Sequence, residues 1–481
     1  MKFMRSLLAL STFALAGCAG VSGKAARPAT APAKAVQVWL STADASRQLA
    51  RESDLALAAE RIADANIEID VTRHYQDIVG FGAAITDASA WLIEQRMSGK
   101  QREALLQDLF GRESGGIGLS FTRLTIGASD FSRHHYSFDD MPPGQRDPAL
   151  AHFSIEPNRQ DVLPVVRAAL AVNPKLQVMA SPWSAPGWMK TTGSMIGGTL
   201  RADAYAPFAE YLLRYVEAYA AAGVPIFALT VQNEPGFAPD DYPGMKLDAS
   251  ARAKLIGEHL GPLLARRAPA TKIFDWDHNW DRPEEPLAVL ADPVARRYVA
   301  GVAWHCYAGA VRAQSAVHDA HPDKDAYLTE CSGGEWKPMK DDALLTIVRR
   351  LVIGSTRGWS RGVLLWNLAL DQSHGPHAGG CSDCRGLVTI DTKTGTYVRT
   401  VDYVALAHAS RFVRPGAQRV ESNEMGNEVD NVVFRNADDG SLVMIAANSS
   451  ASAQRIAVRA AGRSFVYEMP ARSVATFVWW Q

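Results

Sequence analysis

The sequence is poor in cysteine, in net charge and in long apolar runs. It has five cysteines among 481 residues, and 50 Lys and Arg residues stand against 51 Asp and Glu residues, for a formal net charge of −1. Five cysteines are too few for a small disulfide-stapled scaffold. A neutral chain lacks the positive field that binds phosphate backbones, which disfavours nucleic-acid binding. With 47% hydrophobic and 21% charged residues, the composition excludes both a disordered chain and a bundle of membrane helices.

The N-terminus has a basic start, a short apolar core and small residues ahead of Cys18. This pattern is typical of a secretory signal, and it is too short to remain as a membrane span. Leu15-Ala16-Gly17-Cys18 resembles a bacterial lipobox, so we predict that residues 1–17 are removed and that Cys18 carries a lipid; an ordinary signal peptide is the alternative. Residues 18–35, rich in Ala, Gly, Pro, Ser and Thr, predict a flexible tether. The expected location is the bacterial periplasm, anchored to the outer membrane, or the cell surface.

From about residue 75 to 400, short apolar runs alternate with helical stretches such as 205–222 and 251–267. The runs are continuous, which is typical of parallel strands buried on both faces. Eight such units predict an α/β fold, a (β/α)8 TIM barrel with insertions. A doubly wound sheet is the competing fold, but no Gly-x-Gly-x-x-Gly follows the first strand. The predicted strands are Ile78–Ala84, Leu119–Ile126, Leu176–Ser181, Ile226–Val231, Lys272–Trp276, Gly301–Trp304, Ala326–Thr329 and Gly362–Trp366.

Both ends of the chain have β-strand patterns. Short strands are predicted at 36–40 and 67–72, and the segment after the last barrel helix contains several more, separated by Asn, Asp and Gly turns. Asp438-Asp439-Gly440 is a hairpin signal in that segment. We therefore predict a β-sandwich side domain formed from both chain ends. The predicted parts are N-terminal sandwich strands in 36–74, the barrel in 75–412 and C-terminal sandwich strands in 413–481.

Polar and aromatic residues cluster where the predicted strands end, and in a barrel the catalytic groups come from the C-terminal ends of several strands. Glu234 follows the fourth strand and Glu330 the seventh, so we expect the two carboxylates to face each other across the barrel mouth. A lone Glu after a strand would otherwise be a solvated loop residue. The other strand-end candidates are Asp87, Arg123, Asp130, Trp183, Asn233, Asp277, His278, Asn279, His305, Tyr307, Trp366 and Asn367.

A facing pair of carboxylates is what glycoside hydrolysis requires, because one carboxyl protonates the leaving oxygen while the other supports an oxocarbenium-like centre. A separation of about 5–5.5 Å retains the anomeric configuration, and about 6.5–9.5 Å inverts it. Arg123, Tyr307 and His305 are candidates to keep Glu330 ionised, whereas a drier environment would raise the pKa of Glu234.

Three further side chains suit a sugar-binding cleft. Asn233, next to Glu234, can donate a hydrogen bond to a sugar hydroxyl. Trp183 and Trp366 offer flat apolar faces to a sugar ring, although a Trp at a strand end more often belongs to the core. Cleavage by two carboxylates requires no metal or organic cofactor, and we predict none.

Five segments in the barrel region together resemble glycoside hydrolase family 30, which includes the glucosylceramidases and β-1,6-glucanases. They occur in the family's order, and the flanking strands fit its side sandwich. One departure is Cys306, between His305 and Tyr307, where relatives usually carry an aromatic residue. The matching segments are Gly80–Asp87, Arg123–Ser132, Ser181–Lys190, Thr230–Pro235 and Trp366–Asp371.

The resemblance implies a retaining β-glycosidase in which Glu234 is the acid/base and Glu330 the nucleophile. It also implies a glucose site formed by Asp130, Trp183, Asn233, His305, Tyr307 and Trp366, with Arg123, Asp87 and Asn367 in support. We predict a β-glucoside substrate, with glucosylceramide-type glycolipids ahead of β-1,6-glucan. A xylan-cleaving relative and a non-catalytic carbohydrate-binding lipoprotein are the other hypotheses.

The leaving-group side of the cleft is expected to be shaped by the loops after strands 4, 5, 7 and 8. Their aromatic residues could contact a lipid or a second sugar, or simply pack within the loops. The loops are Gly236–Leu247, Trp280–Pro286, Gly333–Lys340 and Gln372–Arg385, and the aromatic residues are Phe237, Tyr242, Trp280 and Trp336.

The remaining cysteines predict loop stabilisation and packing. Cys381 and Cys384 have the spacing of a zinc or redox motif, but no second ligand pair follows, and in an exported loop a local disulfide is the better interpretation. Cys306 and Cys331 lie on neighbouring predicted strands; they could pair, but we expect buried free thiols. His374 and His377 are expected in a solvated loop.

Overall fold

The structure is a computed structural model that describes residues 35–59, 64–113, 115–425 and 428–480. The predicted signal segment, the lipid-attachment residue Cys18 and nearly all of the predicted tether lie outside these residues. Within the described ranges, none of the helices has the length and apolar character needed to cross a membrane.

The strands fall into two sheets. In chain order they are β1 (Ala35–Thr42), β2 (Ala50–Arg51), β3 (Leu55–Ala56), β4 (Ile67–Asp77), β5 (Gly80–Ala84), β6 (Phe121–Thr125), β7 (Gln177–Ser181), β8 (Ala228–Thr230), β9 (Lys272–Asn279), β10 (Val299–His305), β11 (Asp325–Glu330), β12 (Gly333–Gly334), β13 (Ser360–Asp371), β14 (Cys384–Ile390), β15 (Tyr397–Arg399), β16 (Gln418–Ser422), β17 (Val429–Arg435), β18 (Leu442–Asn448), β19 (Gln454–Ala460), β20 (Arg463–Met469) and β21 (Ser473–Trp479).

Most helices lie between the strands of the first half of the list. They are α1 (Asp87–Arg96), α2 (Gly99–Phe110), α3 (Glu156–Arg159), α4 (Val162–Val172), α5 (Tyr205–Ala221), α6 (Ala249–Lys254), α7 (Gly261–Arg267), α8 (Glu284–Ala291), α9 (Arg312–Ala320), α10 (Met339–Thr346), α11 (Ser355–Arg357) and α12 (Val401–Ser410). A π-helical segment joins α6 to α7 and another joins α10 to α11, at Leu255–Leu260 and Ile347–Gly354. Short 3-10 turns occur at Gly187–Met189 and Ala295–Arg297.

Eight parallel strands close a barrel among the described residues. β5 to β11 pair in chain order, and β13 pairs with both β11 and β5 to complete the ring. Each of the eight strands overlaps one of the predicted apolar runs, so the predicted (β/α)8 barrel is confirmed. The barrel interior is filled by side chains from seven strands: Phe121, Met179, Ala228, Phe274, Ala303, Tyr327 and Leu364.

The second sheet contains strands from both ends of the chain. β1 pairs antiparallel with β21, the last strand, and β4 lies between β16 and β19. The predicted hairpin turn at Asp438-Asp439-Gly440 connects β17 to β18, and Gly440 there has φ +71°, a conformation that favours glycine. A separate apolar cluster, including Val38, Ile67 and Phe477, forms the core of this sheet.

His408 joins the barrel to the β-sandwich domain. It lies on α12, is fully buried, and has its Nδ1 and Nε2 atoms each 2.8 Å from a hydroxyl, that of Thr476 and that of Ser41. Because the Thr476 hydroxyl donates to the His408 carbonyl, it accepts from Nδ1–H, and Nε2 is left as an acceptor. Burial lowers the pKa of His408 to about 3, so the ring is neutral in the folded protein.

Acid should therefore weaken the fold through His408. Its folded-state pKa lies below the unfolded value, so stability is present above the unfolded pKa and is lost as pH falls below it. Between pH 7 and pH 5 the expected loss is about 2 kcal/mol, which thermal unfolding at each pH would measure. His408→Gln should flatten this pH dependence, and His74→Gln, at an exposed position, should not. Equal slopes for the wild type and His408→Gln would contradict the assignment.

Candidate active site

The site lies at the C-terminal ends of the barrel strands. Successive side chains of a strand alternate between faces, so residues two positions after the barrel-filling layer also point inward. This places Arg123, Thr230 and His305 above Phe121, Ala228 and Ala303, respectively. All three polar residues are buried, and their hydrogen bonds link them to acidic groups from other strands.

The two predicted carboxylates lie on either side of one histidine. An oxygen of Glu234, an oxygen of Glu330 and a ring nitrogen of His305 all lie within 4.8 Å of one another. His305 Nδ1 is 3.1 Å from Glu234 Oε1 and 3.9 Å from Glu330 Oε1. The oxygen separation is close to the retaining distance of about 5–5.5 Å and well short of the distance that admits an attacking water.

Glu330 is held by two donors. Nη1 of Arg123 donates to one oxygen at 2.5 Å, and the Tyr307 hydroxyl donates to the other at 3.0 Å. The second guanidinium nitrogen of Arg123 donates to Oδ1 of Asn233 at 2.7 Å. Burial raises the pKa of Glu330, against the opposing charges of His305 and Arg123.

Glu234 faces two imidazoles. Besides His305, Nε2 of His278 lies 3.7 Å from Oε1 of Glu234. Burial would raise the pKa of Glu234, but the hydrogen bond and the charge of His305 outweigh it and lower the pKa. Glu234 also has φ +46°, an unfavourable conformation for a residue with a side chain, which points to a functional constraint.

Asp277 is the centre of the network, although its position in the sequence indicated only a strand-end candidate. Its carboxylate is fully buried and accepts from Arg123 and His305, which are the partners of the two glutamates. The hydroxyls of three strand-end residues also donate to it: Ser181, Thr230 and Thr329. Its position after an apolar run was the only signal in the sequence, and no pattern indicated that the Asp277 side chain points into the site.

Trp183 and Trp366 stack on each other rather than presenting open faces. Their ring centroids are 4.9 Å apart at 17°, and both are almost fully buried. Trp366 Nε1 lies 3.5 Å from Asp130 Oδ2, while Asp130 Oδ1 has no hydrogen-bond partner among the described residues. Burial raises the pKa of Asp130 to about 8, with the charge of Glu330 adding to it. The stacked pair forms a buried wall, the Trp183–Trp366 wall, and Asp130 places a buried oxygen beside Trp366.

The structure does not bring two of the predicted supporting residues to the carboxylates. Asp87 binds Arg133 through both oxygens, and Asn367 accepts from the hydroxyl of Thr86, the residue that precedes α1. Both are buried, and Nδ2 of Asn367 has no hydrogen-bond partner among the described residues. They support the strand-end loops and do not touch the catalytic pair.

The predicted aromatic residues of the loops divide into three groups. Trp280 is buried and donates to Gln314, so it belongs to the core. Tyr242 and Trp336 are partly buried against the Trp183–Trp366 wall. Phe237 is 46% exposed and is one of the few large apolar side chains open to solvent among the described residues.

All four described cysteines form disulfides. Cys381 pairs with Cys384 in the loop after the last barrel strand, and this bond packs against the Trp183–Trp366 wall. Cys306 pairs with Cys331, so the expectation of two free thiols is wrong. The reason is the register: His305 lies opposite Glu330, which sets the next residues of the two strands side by side. His374 and His377 contact backbone carbonyls within their loop.

Comparisons with known proteins agree with this architecture. The model of the Glycosyl hydrolase family 30 TIM-barrel domain matches residues 78–413, and that of the family 30 beta sandwich domain matches 416–477. An endo-1,6-beta-D-glucanase of Neurospora crassa is 36% identical over 388 residues, which is 78% of this chain and 79% of the relative. A putative glucosylceramidase 4 of Caenorhabditis elegans is 31% identical over 422 residues, or 82% and 79% of the two chains.

A solved structure is also similar. The structure described as the endo-β1,6-glucanase BT3312 aligns with a TM-score of 0.85 and 30% sequence identity. The alignment covers 93% of this chain and all of that one. The domain matches span most of the chain, and the barrel, the sandwich and the facing carboxylates fit them. The chain therefore belongs to glycosyl hydrolase family 30 and is a glycoside hydrolase.

Proposed function

We propose that the protein is a retaining β-1,6-glucanase. The observation that carries the mechanism is the facing pair of the partly buried Glu234 and the buried Glu330, whose nearest oxygens are no more than 4.8 Å apart. The substrate assignment rests on the named relatives, because the glucanase of Neurospora crassa has higher identity than the putative glucosylceramidase. This reverses the order of substrates predicted from the sequence.

The proposed reaction is a double displacement. The Glu330 carboxylate attacks the anomeric carbon and forms a glycosyl ester, while Glu234 gives its proton to the leaving oxygen and the glycosidic bond breaks. In the second step Glu234 takes a proton from water, the water oxygen attacks the anomeric carbon, and the bond to Glu330 breaks. The sugar leaves with its original configuration.

The neighbouring residues have matching tasks. Arg123 and Tyr307 stabilise the ionised Glu330 before attack and after its release. The Asn233 carbonyl accepts from Arg123, which fixes the amide and leaves its NH2 group as a donor for a sugar hydroxyl. Asp130 has a buried oxygen without a partner among the described residues, and a sugar hydroxyl would supply one.

Catalysis requires a proton on Glu234. In the site without substrate, however, His305 lowers the pKa of Glu234 and favours its ionised form. A bound glucan covers Glu234, which strengthens the desolvation that favours its neutral form. Substrate binding therefore raises the pKa of Glu234 toward the protonated form that the first step needs.

Hydrolysis of a substrate panel tests the proposal. We expect kcat/KM on β-1,6-glucan to exceed that on glucosylceramide, β-1,3-glucan or xylan by about 10-fold or more, which corresponds to about 1.4 kcal/mol of transition-state discrimination. Nuclear magnetic resonance of the earliest products should show the β anomer. Preference for glucosylceramide would restore the second candidate, which the Caenorhabditis relative favours, and an initial α anomer would reject retention.

A further inference from the structure

The Asp277 carboxylate lies among five hydrogen-bonding side chains. Oδ2 accepts from Arg123 Nη2 at 2.8 Å and from the hydroxyls of Ser181 and Thr230 at 2.6 and 2.7 Å. Oδ1 faces His305 Nε2 at 3.0 Å and accepts from the Thr329 hydroxyl at 2.7 Å. These donors come from five different barrel strands, so one carboxylate ties most of the barrel mouth together.

A β-bulge turns Asp277 toward the site. Along the β9–β10 pairing, Ala303 lies opposite Trp276 and Trp304 lies opposite His278, so Asp277 is an extra residue without a partner. Trp276 and Asp277 have φ values of +76° and +56°. Strict alternation from the inward Phe274 would direct residue 277 outward, and the bulge reverses that direction. Backbone strain of this kind is characteristic of functional sites.

Each oxygen of Asp277 leads to a different catalytic glutamate. Oδ2 holds the Arg123 guanidinium, whose other arm donates to Glu330. Oδ1 faces Nε2 of His305, whose Nδ1 faces Glu234. An imidazole with a carboxylate at each nitrogen can donate to both only as the doubly protonated cation.

We propose that Asp277 is a positioning residue that fixes the Arg123 guanidinium against Glu330 and the His305 imidazolium against Glu234, so that each glutamate has its own cation. The proposal rests on the proposed function, because it assumes that these glutamates perform the reaction. The Asp277 carboxylate bonds to neither glutamate and acts only through the two cations, whereas its backbone carbonyl accepts from the backbone N–H of Glu234 at 3.0 Å.

The pH dependence follows from the groups around His305. Burial would lower the pKa of His305, but the surrounding carboxylates raise it to about 9. Loss of the charge on Asp277 removes one of these carboxylates, so the pKa of His305 must fall, and the alkaline limb of activity must move to lower pH. The groups that face the ring are Asp277, His278, Glu234, Glu330 and Tyr307, with Arg123 behind Asp277 and Glu330.

The test is Asp277→Asn, assayed with an aryl β-glucoside across pH. Asn has the same shape as Asp, but only one of its two terminal atoms can accept a hydrogen bond, whereas donors face both carboxylate oxygens of Asp277. We expect kcat to fall about 10–100-fold, as for other partners that orient a reacting group, with KM within about 3-fold of the wild type. The alkaline limb should move down by about one pH unit or more.

Asp275→Asn is the matched control. Asp275 lies on the same strand, is equally buried and is also paired with an arginine, but that arginine is Arg252 on the surrounding helix layer. It should lower thermal stability and leave the pH profile in place. A purely structural role for Asp277 would make the two variants behave alike.

The outcomes separate the two proposals. A wild-type enzyme without activity on the aryl β-glucoside or on β-1,6-glucan would reject the proposed function. An active wild type with an Asp277→Asn variant of unchanged kcat and pH profile would overturn the positioning role. If Asp277→Asn fails to fold, His305→Gln tests the positioning role instead. An alkaline limb of activity that does not move in His305→Gln would also overturn that role.

Discussion

Glu330→Gln should lower kcat on every β-glucoside by about 10⁴-fold or more, the scale seen when a covalent nucleophile is removed. The amide has nearly the same shape as the carboxylate, but it cannot form the glycosyl ester. It also leaves Arg123 beside a neutral group, after losing a charge-assisted hydrogen bond of 2.5 Å. The initial rate with an aryl β-glucoside measures the loss.

The stereochemistry of rescue identifies the role of Glu330 more sharply than the loss of rate. Glu330→Gly opens space on the face from which the carboxylate attacks. Azide entering that space would displace the aryl group of an activated substrate in a single inversion, giving α-glucosyl azide. Glu217→Gln, at a partly exposed glutamate paired with Arg267 on the outer helices, serves as the control and should keep full activity. A β-azide from Glu330→Gly, or substantial activity in Glu330→Gln, would contradict the assignment.

The barrel could be predicted because a parallel strand buried on both faces leaves a continuous apolar run in the sequence. The eight runs matched the eight strands, although their ends differed. The fifth run, for example, was predicted to end at Trp276, whereas β9 continues to Asn279. Polar residues at the ends of these buried strands interrupt the apolar runs, so the extensions could not be predicted. The site residues lie at those strand ends.

The direction of Asp277 could not be predicted, because it depends on a bulge. Without a glycine to mark the positive φ, the period-2 pattern gives the opposite face for this residue. Ser181, Thr230 and Thr329 were missed for a related reason. Hydroxyl residues inside apolar strands carry no signal until a buried carboxylate is placed among them.

The Cys306–Cys331 disulfide illustrates a different limit of the sequence. The prediction that the two cysteines lie on neighbouring strands holds, but pairing requires a particular register between those strands. In β10 and β11, His305 is opposite Glu330 and the partner of Trp304 is Leu328, so Thr329 is skipped. This irregularity decides which residues meet beyond the strand ends, and the sequence shows no trace of it.

Glu234→Ala should separate substrates by their leaving groups. A sugar alcohol leaves as a poor anion unless it is protonated, so kcat/KM on β-1,6-glucan should fall about 10³-fold, within the usual range for a general acid. An aryl β-glucoside with an acidic phenol needs no proton, and its kcat/KM should stay within about 10-fold of the wild type. Steady-state kinetics on the two substrates give the comparison directly.

The same variant also tests the second half of the reaction. Without Glu234 to take a proton from water, the glycosyl ester at Glu330 should accumulate, and the aryl substrate should show a burst of phenol followed by slow turnover. Azide needs no general base, so it should speed that turnover and attack from the face opposite Glu330, giving β-glucosyl azide. The two variants are therefore expected to give opposite anomers of one product. Equal losses of kcat/KM on both substrates, or the same azide anomer from both variants, would exclude Glu234 as the acid/base.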